Sequence, residues 1–72
     1  MEQELRARLG ELSDDARKIS EHARQALEHL DRGELKAVSQ VIAVMHHKIS
    51  AVSSDREGVL KLLEEHGVRP GD

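Results

Sequence analysis

The chain reads as an all-α protein: an antiparallel helical hairpin with a short third helix, suited to dimerise into a four-helix-type bundle. Three observations lead there. Apolar residues recur at alternating spacings of 4 and 3 through residues 5–30 and again through residues 35–52, which is the period of a helix face. A single glycine, Gly33 in LDRGEL, separates the two runs. Finally, the 72 residues include no Phe, Tyr, Trp or Cys, and chains below about 70–80 residues rarely gain more than about 3–5 kcal/mol from one core without a disulfide, a metal or a partner.

The first helix is expected over residues 3–31. Its seam is Leu5, Leu9, Leu12, Ala16, Ile19, Ala23, Ala26 and Leu30, with charges of both signs between. Gly10 and the cap-like Ser13 allow a break in LGELSDDARK, but the seam passes them without a change of phase, which favours one continuous helix with a bend near Gly10. Gly33 then tolerates the left-handed conformation that ends a helix. A turn this short makes the helices on either side antiparallel neighbours.

The second helix is expected over residues 34–53, with Leu35, Val38, Ile42, Met45, Ile49 and Val52 zipping against the first seam. Charge agrees with the pairing: residues 1–31 hold five basic and eight acidic side chains, residues 32–53 three and one. A second stripe of Ala37, Val41, Val44, Lys48 and Ala51 finds no cover in a two-helix hairpin, so Val41 and Val44 are the expected dimer face. Ser54 and Glu57 have capping-box spacing and predict a third helix over 55–66, closed by Gly67, with a flexible tail over 67–72. The whole chain is one small helical domain.

The same composition narrows function. Fourteen acidic against eleven basic residues give a net charge of −3, a poor footprint for nucleic acid, and aromatic stacking platforms are absent. No stretch supplies the ~20 apolar residues of a membrane span, and the N-terminus has no signal-like apolar region, so a cytoplasmic protein is expected. There is no glycine-rich phosphate loop, no thiol nucleophile and no Ser, His and Asp grouping that a hairpin would assemble. No catalytic residue, cofactor or metal site is therefore expected, and the expected role is a protein-interaction or regulatory module with itself and an unidentified protein as partners.

Five histidines are the remaining chemistry. His46 and His47 are adjacent, so they diverge by about 100° on a helix, and no Glu stands three residues before any His, which removes the usual bundle metal pairings. His46 falls beside the seam and His47 points away from it, while His22 and His29 lie on one flank of the first seam. MHHKIS is similar over its six residues to the His-His-Arg-Val-Lys-Asn stretch in one branch of the sensor-kinase phosphoacceptor domains, which are dimeric helical hairpins. That likeness implies His46 or His47 as a phosphoacceptor. The Asn and Pro that usually follow are missing, and these residues hold no ATP-binding domain. A pH-sensing role for the same pair is the other alternative.

Overall fold

A computed structural model describes residues 1–69 and 71, and among them there are two helices and no strand: α1 (Glu2–Asp31) and α2 (Leu35–Glu65). They lie side by side as an antiparallel hairpin 51 × 19 × 19 Å in extent. The all-helical hairpin read from the periodicity is therefore present. α1 is continuous through Gly10, where an added Cβ would meet nothing within 4 Å.

Both helices stop in the same way. Past α1, Gly33 takes φ 74°; its N–H donates to the Leu30 carbonyl at 2.9 Å, and the Glu34 N–H to the His29 carbonyl at 2.9 Å. Past α2, Gly67 takes φ 78°, and the Val68 N–H donates to the Leu63 carbonyl at 2.9 Å. These are Schellman motifs, in which glycine accepts the left-handed backbone and the last carbonyls find donors. The second one carries backbone hydrogen bonding through Val68, within the expected 67–72 tail; Pro70 and Asp72 of that tail lie outside the described residues. At the hairpin turn a side-chain bond supports the motif, His29 Nδ1–H donating to a Glu34 carboxylate oxygen 3.0 Å away.

The separate third helix is a correction: residues 55–66 form the C-terminal third of α2, which runs unbroken through Ser53, Ser54 and Asp55. Ser54 caps a helix only if its own backbone leaves helical geometry. Nothing forces it out, because Met45, Lys48, Val52, Asp55, Val59 and Leu62 keep one uninterrupted 3–4 phase across the proposed break, and all of them are buried or half-buried. Bending at Ser54 would turn Val59 and Leu62 away from α1.

The core is thin. Among the described residues only Ala26, Val59 and Leu62 are buried, and no side chain is fully enclosed. On α1 the half-buried positions are Leu5, Leu12, Asp15, Ile19, His22 and His29. Half of these are polar, so the contact between the helices is not the all-apolar seam expected. The exposed pairs Arg6–Glu2 at 3.8 Å, Arg8–Glu4 at 3.5 Å and Arg17–Asp14 at 3.2 Å add only about 0.3–0.5 kcal/mol each to the helix that carries them.

Candidate functional site

Two classes of position on each helix meet the other helix. On α1 one class is Leu5, Leu12, Ile19 and Ala26; the other, three residues further along, is Arg8, Asp15, His22 and His29. On α2 the matching classes are Val38, Met45, Val52 and Val59, and Val41, Lys48, Asp55 and Leu62. In an antiparallel pair, equivalent classes share a side of the contact. The polar side is identified by its bonds. Lys48 Nζ lies 3.5 Å from an Asp15 carboxylate oxygen, Asp15 comes close enough to Asp55 to raise its pKa, and the Arg8 guanidinium sits 3.0 Å from where a Cβ on Gly58 would stand.

Asp55 is the group whose chemistry this side perturbs. Its pKa is raised, first by the hydrogen bond with Asp15, then by desolvation, then by the negative charges of Asp15 and Glu11, with Lys48 opposing. One Asp55 oxygen, Oδ2, and His22 Nδ1 are buried without a hydrogen-bond partner. The cluster is a carboxyl pair clamped by a lysine, and its partners are specific in geometry. Shifting one helix by a turn would separate Lys48 from Asp15, so this side acts as a register lock.

The opposite side continues into open surface. Leu9, Ala16, Ala23 and Leu30 follow the apolar class of α1 by four residues, and Leu35, Ile42 and Ile49 flank the apolar class of α2 in the same sense. All seven are exposed, including Leu9 at 44%, Leu30 and Ile42 at 52% and Leu35 at 67%. Since the polar classes share one side of the contact, these two stripes share the other and form one face spanning both helices. No Asp, Glu, Lys or Arg interrupts it between Leu9 and Leu30 or between Leu35 and Ile49 at these positions; Arg56 closes it beyond Ile49.

The histidines divide between these surroundings. His22 and His29 are half-buried in the interhelical contact rather than on its flank. His46 and His47 are both exposed, their rings 5.9 Å apart and tilted by 59°. His46 borders the Ile42–Ile49 stripe, four residues from one and three from the other, while His47 lies further round the helix. Among the described residues no three His, Asp or Glu side chains gather closely enough to hold a metal ion, and no helix is long and apolar enough to cross a membrane. The expected dimer residues part company: Val41 is half-buried against α1, whereas Val44 stays 50% exposed.

Sequence periodicity found the seven face residues and assigned them to the contact within the chain. It passed over Arg8, Asp15, His22, Lys48 and Asp55 as members of that contact. Their signal was available: on both helices charged residues recur seven apart in register with the apolar class. The chain matches no protein-family model, no curated protein and no solved structure.

Proposed function

We propose that the protein is a cytoplasmic, non-catalytic interaction module whose working form is a homodimer, assembled through the Leu9–Leu30 and Leu35–Ile49 stripes rather than through Val41 and Val44. The observation that carries this reading is the direction of the apolar seam. Residues advance about 100° each around a helix. The line bisecting Leu5 and Leu9 therefore lies about 50° from the line bisecting Leu5 and Arg8, which points at α2. In a square bundle of four helices the central axis lies about 45° away from the direction to a neighbour. The apolar residues aim at such an axis and not at the partner helix.

Surface area supports the same reading. A compact monomer of 8.0 kDa exposes about 4,500 Å² by the scaling of folded proteins, whereas this chain exposes 5571 Å². The excess, about 1,100 Å², is comparable with the ~800 Å² that each partner covers in a stable interface. Sedimentation equilibrium tests the proposal: wild type is expected as a dimer at tens of micromolar and Ile42→Glu with Ile49→Glu as a monomer. A monomeric wild type at those concentrations overturns it.

A second reading has one observation in its favour, the exposure of both His46 and His47, which leaves either ring open to a phosphoryl donor or to a pH-dependent partner. Incubation with sensor kinases and ATP decides it. Acid-labile phosphate on His46 or His47, lost in His46→Ala or His47→Ala, supports a phosphoacceptor hairpin.

A further inference from the structure

We propose that the second copy docks with its turn at the opposite end of the bundle, about a two-fold axis that crosses the face at the level of Ile19 and Met45. The inference rests on the dimer reading above and adds the orientation that the face itself selects.

The two stripes have a common centre. On α1, Leu9 and Leu30 stand at the ends with Ala16 and Ala23 between them, so the stripe is symmetric about residues 19–20. On α2, Ile42 and Ile49 straddle residues 45–46, and the same centre relates Leu35 at the turn to Arg56, next in phase at the open end. Counted outward from the Gly33 turn, both centres fall at one level, since the antiparallel helices climb at the same rise per residue. A two-fold interface requires that if one residue contacts a second, the second contacts the first in return. An axis across the helices at that level sets Leu9 on the partner's Leu30, Ala16 on the partner's Ala23 and Ile42 on the partner's Ile49.

An axis running along the helices would also be two-fold, with both turns at the same end, and two features of the face oppose it. That axis doubles every level. The thin level of Ala26 and Val38 would meet itself and leave a gap, while Leu30 and Leu35 would crowd four leucines into the level at the turn. Reversal instead sets the thin Ala26–Val38 level against the wider level of Leu12 and Val52, and large and small residues then alternate across the core. The second feature is Arg56, which ends the α2 stripe and is well exposed, at 66% of its side chain. With turns together, two Arg56 side chains and two Leu9 side chains share the open-end level, bringing like charges into one layer. With turns apart, each Arg56 lands at the partner's turn, among Leu30 and Leu35, and the two arginines sit at opposite ends.

The arrangement places α1 beside the partner's α1 and α2 beside the partner's α2. His46, bordering the α2 stripe close to the axis, then faces the partner's His46, whereas His47 stays on the outer surface.

Spin labels on the full chain read the orientation directly. Arg32→Cys marks the turn at an exposed position. The proposal expects one label-to-label distance near 40 Å, from about 14 residues on each side of the axis at ~1.5 Å each. Turns at the same end would give about 20 Å, roughly the width of a four-helix bundle, and would overturn it, as would a broad distribution with no preferred distance. Ser20→Cys, exposed and nearly level with the axis, tests the level at which that axis crosses: a short distance, under about 20 Å, is expected from neighbouring α1 helices, and a longer one overturns the placement. Sedimentation of the same samples separates the two proposals, because a monomer gives no intermolecular distance and counts against the dimer itself, whereas a dimer with the wrong distances counts against the orientation alone.

Discussion

The two sides of the helix–helix contact are made of different chemistry and do different work. On one side Asp15, Lys48 and Asp55 interlock at close range; on the other, leucine, alanine and isoleucine spread outward into an uncovered face. The charges of the polar side contribute little net stability, because the cost of desolvating them offsets their attraction, yet they favour one alignment of the helices. The apolar side carries most of the transferable hydrophobic free energy and is left incomplete by one chain. Interhelical charge pairing and exposed apolar surface are thus separated onto opposite sides of the same pair of helices, as the proposed dimer requires.

The sharpest way to break the contrast is through the few side chains that one chain does bury. Leu62, only 5% exposed, should cost about 3 kcal/mol when cut to alanine, as buried leucines do, whatever the protein concentration. Urea unfolding followed by circular dichroism measures it, and a loss under about 1 kcal/mol would mean that the α2 end does not pack on α1. Ile42→Ala comes next and behaves differently: about 2 kcal/mol lost per chain at tens of micromolar, but under about 0.5 kcal/mol at dilutions where the dimer has dissociated. A concentration-independent loss at Ile42 would erase the distinction between a closed and an open side.

How far the sequence revealed this depends on which residues are considered. The hairpin was legible because the 3–4 apolar period and Gly33 are local signals, readable without knowing what packs on what. The third helix misled for the same reason: Ser54 and Glu57 make a convincing local cap, and the continuing phase of Val52, Val59 and Leu62 outweighs it only once α1 is there to bury them. The orientation of the seam was the least legible feature. Apolar periodicity marks what must leave water, not which neighbour removes it. Leu9, Ile42 and Ile49 looked like intrachain contacts because a polar class, Arg8, Asp15 and His22, was not credited with occupying the contact.

Smaller effects sharpen the comparison. Gly10→Ala, with open space where the Cβ goes, should stabilise by about 0.5–1 kcal/mol through helix propensity alone, seen as a higher melting temperature on either side of the dimerisation threshold. On the polar side, Asp55→Asn should give a lesser gain confined to neutral pH. The Asp55 pKa is raised in the folded chain, so the protonated form is favoured by folding. That contribution is complete below the ordinary carboxylate pKa and is lost as pH rises through the folded value, leaving a repelled charge at pH 7. The difference between Asp55→Asn and wild type in thermal unfolding should therefore shrink to nothing as pH falls, and a gap that widens in acid would contradict the assignment. The smallest changes are at the histidine pair: His47→Ala should stay within about 0.5 kcal/mol, while His46→Ala leaves monomer stability alone and alters the dimer's dissociation constant.

The turn at Gly33 has a consequence for how fast the chain finds its fold. Every contact between α1 and α2 closes a loop centred on that glycine, and the shortest closures, His29 with Glu34 and Leu30 with Gly33, are already formed by the Schellman motif itself. Pairing can then proceed outward one level at a time, each step adding little loop entropy to the last, which places the chain with the rapid, locally wired folders. A side chain at residue 33, held at φ 74°, would strain the starting point of that sequence, so Gly33→Ala should slow refolding far more than it speeds unfolding.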